Sequence, residues 1–232
     1  SAHTNLGEAY IKTKNFESSK KSFLKSLELD GPSPEIYSCL GKVYYHLEDY
    51  STSINYFQKS IKIDQLFKKS YHGLGLCLVA LDKWFEAIHY FKKAYKFEND
   101  NIDYIKSLAY AEFKVGNLVS SIELYSKGLS IAPNDIDLSL DFSLIYYESG
   151  DINRSISIIK DAINENQEES LLYYRLVVYL MDAGKYKESI NVLESALSLN
   201  FDNHEVLFDF VPNFESQSAL IRIINNYKNN LK

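Results

Sequence analysis

The residues best equipped for chemistry crowd into one segment, LGLCLVALDKWFEAIHYFKKA, residues 74–94. It holds the chain's single Trp (Trp84), one of its two Cys (Cys77) and a His (His89) within four or five helical turns. A thiol, an indole and an imidazole that close together could form a reactive centre. The other histidines, His3, His46, His72 and His204, are spread along the chain. Only His46 and His72 are spaced to approach each other on neighbouring helices, too few ligands for a structural metal site. No HExxH helix, GxSxG elbow or glycine-rich phosphate loop is present. Acidic pairs such as Glu48-Asp49 and Glu168-Glu169 fall at helix ends, where carboxylates serve the helix termini. No enzyme chemistry, cofactor or metal is therefore expected.

Composition narrows the class. Of 232 residues 46% are apolar, enough for a sizeable core, while 9 Gly and 4 Pro are too few for the turns of a sheet-rich protein. The expectation is all-α. A net charge of −6, with Arg154, Arg175 and Arg222 far apart in sequence, argues against a nucleic-acid partner. The longest apolar runs, 73–81 and 171–181, fall short of the roughly 20 residues of a membrane span. Two Cys without CxxC spacing and no leader at the N-terminus tilt the localisation towards the cytoplasm. The abundance of Tyr, Asn, Lys and Ile points to an AT-rich genome such as a bacterial one.

The organisation emerges when segments are aligned. CLGKVYYHLEDYSTSINYFQKSIKID at 39–64 matches GLGLCLVALDKWFEAIHYFKKAYKFE at 73–98 with a 34-residue offset. Leu6-Gly7, Leu40-Gly41 and Leu74-Gly75 keep that step, as do Gly116-Asn117, Gly150-Asp151 and Gly184-Lys185. With Gly7, Gly41 and Gly75 at position eight of each unit, a turn aromatic follows as Phe16, Tyr50, Trp84 and Tyr186. A small residue comes next (Ser19, Ser53, Ala87, Ser121, Ser155, Ser189), and after it a large one (Phe23, Phe57, Phe91, Tyr125, Ile159, Leu193). A small residue at position eight lets two helix backbones cross at about 8–10 Å. In this frame Trp84 is a turn aromatic, Cys77 a small buried residue, and His89 a solvated one.

This pattern resembles the tetratricopeptide repeat (TPR), a pair of antiparallel helices. The resemblance implies a right-handed alpha-alpha superhelix of six hairpins, at 1–33, 34–67, 68–101, 102–135, 136–169 and 170–201. A degenerate seventh repeat or capping helix follows at 202–232. There Pro212 is expected to end or kink a helix, and Leu220, Ile223, Ile224, Tyr227 and Leu231 form the apolar side of a cap. The start inside a first helix suggests a segment of a longer protein.

The resemblance also implies a protein or peptide partner held on the inner wall, formed by first-helix positions two, five, nine, twelve and thirteen. In the first two repeats this wall is mixed and polar: Thr4, Glu8, Ile11 and Lys12, then Glu35, Ser38, Lys42, Tyr45 and His46. From the third repeat it turns apolar: Leu76, Val79, Tyr110, Phe113, Leu140, Leu144, Tyr147, Tyr174, Val178 and Met181. A solvated wall does not need such a stripe, so the partner-binding groove is placed on Leu76, Val79, Tyr110, Phe113, Leu144, Tyr147, Tyr174, Val178 and Met181. A partner helix or extended peptide would be the ligand. The alternatives are a stripe filled by neighbouring helices, a terminal segment or a second copy, giving a homodimer, or an accessory arm of a larger enzyme. The family's carboxylate clamp needs Lys and Asn at positions five and nine of one repeat. The pairs on offer are Thr4 and Glu8, Ser38 and Lys42, His72 and Leu76, or Lys106 and Tyr110, and none supplies it.

Overall fold

The computed structural model describes residues 2–210 and 218–230, all helix and connecting turn, with no strand among them. Helices come in antiparallel pairs: α1 (Ala2–Lys12) with α2 (Phe16–Asp30), α3 (Pro34–His46) with α4 (Tyr50–Ile63), and α5 (Lys68–Ala80) with α6 (Trp84–Phe97). Then follow α7 (Ile102–Lys114) and α8 (Leu118–Ile131), α9 (Ile136–Glu148) and α10 (Ile152–Glu165), and α11 (Ser170–Asp182) and α12 (Tyr186–Leu199). A 3-10 turn at Phe201–Glu205 leads into α13 (Val206–Phe210), and α14 spans Ser218–Asn230. The chain forms two compact units, residues 1–124 and 125–232. The expected effect of Pro212 and the position of Leu231 lie outside the described residues.

Each inner turn is built the same way. The residues at 14, 48, 82, 116, 150 and 184 all have positive φ, between 56° and 88°. The next residue's N–H reaches back to a carbonyl five residues earlier, as in Asn15 to Tyr10 (2.9 Å), Asp49 to Tyr44 (3.0 Å) and Asp151 to Tyr146 (2.9 Å). The positive-φ residue itself bonds three residues back, and together these close the first helix as a Schellman motif. In three of the turns the following residue also caps the second helix, the side chains of Asn15, Asp49 and Asp151 accepting from Ser18, Thr52 and Arg154 N–H, whereas Lys83 and Lys185 make no such side-chain bond. One residue thus ends a helix and the next begins another. Three of the positive-φ positions are Gly, but Lys14, Glu48 and Asp82 carry side chains there, a conformation that strains L residues.

Packing explains the glycines at position eight. A Cβ on Gly7 would stand 2.8 Å from the Phe23 ring, and one on Gly41 2.7 Å from Phe57; on Gly75 it would meet Phe91 closer still. The second helix therefore sets its Phe directly onto the bare backbone of the first. Each ring is buried, and burial of a side chain this size contributes roughly 1.5–3 kcal/mol. A hydroxyl adds a brace beside it: Ser19 Oγ donates to Gly7 O (2.8 Å), Ser53 Oγ to Gly41 O (2.7 Å) and Ser189 Oγ to Val177 O (3.2 Å). Within residues 1–124 the hairpins stack in chain order, Phe23 with Ile36, Leu40 and Val43, then Phe57 with Leu74 and Cys77. Residues 125–232 gather one larger core around Leu172, Leu176, Tyr179, Leu193 and Leu197.

Two opposite responses follow. Gly75→Ala should lose about 1–3 kcal/mol through overpacking against Phe91, whereas Glu48→Gly should gain about 1 kcal/mol by relieving the left-handed turn. Urea unfolding of the two variants beside the parent chain checks both.

Candidate functional site

Cys77 and Trp84 serve the scaffold. Cys77 is fully buried, its Sγ 3.1 Å from Ser53 Oγ, and burial pushes its thiol up to about 11, so it is no nucleophile at neutral pH. Trp84 begins α6, donating its indole N–H to Asp82 Oδ1 at 2.5 Å, and His89 is exposed. Glu112 on α7 is a buried carboxylate, but its oxygens take Lys92 Nζ at 2.7 Å and the Asn117 amide at 2.6 Å, tying α6 and the following turn together. Among the described residues no group of three or more His, Cys, Asp or Glu is placed to hold a metal. No helix there is long and apolar enough to cross a membrane.

The concave feature lies in residues 1–124. A cleft of about 750 Å³ is walled by Glu8, Ile11 and Lys12 of α1, Ser38, Cys39, Lys42, Tyr45 and His46 of α3, Lys69, His72, Gly73 and Leu76 of α5, and Asn101, Asp103 and Tyr104 at the start of α7. Phe57 of α4 forms part of its floor. The stacked hairpins bring these residues together because each presents its first helix on the same side. Gly73 matters for the depth: a Cβ there would collide with the Phe57 ring.

The histidines and the thiol of this cleft are held neutral. His72 bonds through Nε2 to Ser107 Oγ (2.8 Å) and packs against Tyr104 and Phe91, with ring centroids 4.8 and 5.6 Å away. Burial lowers its pKa to about 4, with Asp103 opposing the shift. His46 stacks on Phe16 at 4.5 Å, and desolvation with the nearby Lys42 cation lowers its pKa too. Burial, reinforced by Glu8, pushes the Cys39 thiol up to about 11. The charge at neutral pH therefore resides on the lysines and carboxylates.

The apolar stripe read from the sequence divides among several environments. Leu76 borders the cleft, and with Val79 is half-buried against Leu78, Phe91 and Leu108. Tyr110 is 37% exposed, edge-on to Trp84 at 5.7 Å, with Lys114 Nζ 5.7 Å from both rings; Phe113 is half-buried. In residues 125–232, Leu140 and Leu144 are half-buried, and Tyr147 stacks on Tyr179 at 4.8 Å and donates to the Asp182 carboxylate. Burial and that carboxylate push the Tyr147 phenol up to about 12. Tyr174, Val178 and Met181 are 0%, 1% and 6% exposed, in one core with Leu207, Leu220 and Ile224, and Tyr174 donates to Asn200 O at 2.8 Å. The terminal segment has filled that part of the stripe. Conversely, the polar wall of the first two repeats, which the apolar pattern passes over, lines the open cleft. Its signal was the run Glu8, Ile11, Lys12, Ser38, Lys42, Tyr45 and His46 at inner-wall positions.

Tandem helical hairpins of equal length, with their first helices lining a cleft, define a helical-repeat protein. Family models described as tetratricopeptide repeat match residues 1–32, 34–66 and 171–203, so the chain carries tetratricopeptide repeats. No curated protein matches it in sequence. Among solved structures it is similar to one described as the functional characterization of Pseudomonas aeruginosa pilF, with a TM-score of 0.72 at 15% identity, over 94% of this chain and 96% of that one. TTC0263, a thermophilic TPR protein of Thermus thermophilus, gives 0.64 at 12%, over 78% and 98%. YrrB, described as a TPR protein with an unusual peptide-binding site, gives 0.60 at 15%, over 82% and 97%. At these identities the likeness is one of fold.

His72 supplies a pH test. Its folded pKa of about 4 lies below the ordinary 6.5, so on acidification the unfolded chain takes the proton first. The stability is full above about 6.5 and is lost progressively as the pH falls towards 4. Between pH 7 and pH 5 the loss from this one group should be about 1–2 kcal/mol, and His72→Gln should remove that part of the slope in urea midpoints compared at the two pH values.

Proposed function

We propose that this protein is a non-catalytic scaffold that holds a peptide segment of a partner protein in the cleft walled by α1, α3, α5 and α7. The observation that carries this reading is the cleft itself: a recess of about 750 Å³ whose lining mixes apolar and polar side chains from four helices, a form in which peptides can be held. The fold alone does not assign a function. The family and the peptide-binding site named for YrrB support the reading. Ile11, Tyr45 and Leu76 give a peptide apolar contact, while Ser38 and Asn101 offer polar groups along the same walls. Within residues 1–124 the exposed or half-buried members of the apolar stripe, Val79, Tyr110 and Phe113, are the further contacts this reading assigns to a partner.

The test is direct. Peptides selected by the purified chain from a displayed library should shift backbone resonances of Ile11, Ser38, Tyr45 and Leu76, and Ile11→Ser/Leu76→Gln should weaken them at least tenfold while keeping the helical circular dichroism. Shifts confined to other surfaces would remove the cleft from the function.

A second reading, self-association, draws on Phe85 and Val119. They occupy equivalent positions of consecutive repeats and are 78% and 72% exposed. Under it, light scattering reports a mass that rises with protein concentration and returns to monomer in Phe85→Ser; a constant monomer excludes it.

A further inference from the structure

The charge of the cleft differs from that of the chain. Its walls carry Lys12, Lys42 and Lys69 against Glu8 and Asp103, whereas the whole chain has a net charge of −6. The order along the walls is equally informative. In helix order Lys42 on α3 and Lys69 on α5 fall between Glu8 on α1 and Asp103 on α7, and Glu8, Lys69 and Lys42 all stand close enough to act on the Cys39 thiol. None of the three lysines forms an ion pair among the described residues, although elsewhere in this unit Lys20, Lys25, Lys68, Lys83 and Lys92 each meet a carboxylate. Lys69 stands near enough to Glu98 to help lower that carboxyl, so its charge is partly met, whereas Lys42 meets no carboxylate among the described residues; exposed cations in a recess are an electrostatic invitation to a negative group.

We propose that the cleft recognises an extended peptide bearing one acidic side chain, seated between Lys42 and Lys69, beside an apolar side chain packed against Ile11, Tyr45 and Leu76. The inference rests on the peptide-binding reading above and gives it a ligand class. The flanking carboxylates set the limit on charge. A nucleic-acid strand, with a phosphate at every nucleotide, would lay negative charge against Glu8 and Asp103 as well as against the lysines. A peptide can place a single carboxylate at the centre and neutral or basic residues at the ends. Length agrees: four side-by-side helices at about 8–10 Å spacing span roughly 25–30 Å, which about eight extended residues cross. Because the two histidines and the thiol of the cleft are neutral at physiological pH, the preference belongs to fixed charges. It should weaken with salt and stay the same from pH 6.5 to pH 8.

A positional-scanning library of nine-residue peptides, read by fluorescence anisotropy with the intact chain, tests this. Asp or Glu should be favoured at one position next to an apolar residue, with affinity falling at least fivefold between 50 and 300 mM salt. Lys42→Glu/Lys69→Glu should reverse the preference at that position to Lys or Arg, and Lys42→Gln/Lys69→Gln should abolish it without reversal. Both lysines are exposed, so these variants keep the fold, which circular dichroism verifies. Peptides held with no acidic preference, or a preference unmoved by the charge reversal, would overturn the ligand class and leave the cleft reading standing. If no peptide of any composition binds above background, the cleft reading falls as well.

Discussion

In each of the first three hairpins a phenylalanine ring from the second helix lies flat against the first helix at a residue that has no side chain. The pairs are Gly7 with Phe23, Gly41 with Phe57 and Gly75 with Phe91. This contact sets the distance between the two helices, and the serine hydroxyl beside it, as in Ser19 and Ser53, holds the crossing point by bonding the glycine's own carbonyl. A methyl group at the crossing would force the ring away and change the separation. Everything built on the hairpins inherits that separation: the three-residue inner turns, the stacking in chain order, and the side-by-side array of first helices that encloses the cleft.

The cleft shows how such a scaffold creates a site without any reactive residue. Gly73 leaves room for the Phe57 ring, which forms part of the floor. His72, Cys39 and His46, the groups most able to titrate or react, are held neutral by desolvation. What remains is shape together with fixed charge, the features on which the proposed recognition of a peptide rests. The same physics accounts for Cys77 and Trp84, whose rarity drew notice but whose surroundings are a buried hydroxyl and a turn carboxylate.

Much of the fold was legible because its causes are local. The 34-residue step, the small residue at position eight and the large residue opposite it are written at fixed spacings, and the six inner turns fall 34 residues apart. The unusual turn residues were not legible: Lys14, Glu48 and Asp82 adopt the same left-handed conformation as Gly116, Gly150 and Gly184 because the hairpin packing imposes it against their preference. The site was legible only in part. An apolar stripe marks residues that avoid water, yet it cannot say what covers them. Tyr174, Val178 and Met181 are buried in one core that also takes in residues about 30 to 50 positions further on, such as Leu207, Leu220 and Ile224. Leu76 stays at the edge of an open recess.

The amino-acid order by itself determined the helical class, the period of the hairpins and the residues that make each crossing, since all of these follow from contacts within one or two repeats. Tertiary structure alone decided which inner-wall residues remain open. Exposure depends on whether a distant segment of the chain comes back to lie on a face, and that is settled by the whole packed unit. In residues 125–232 the C-terminal helices return and bury the last apolar stripe; in residues 1–124 a polar wall carrying three lysines is left facing a cleft.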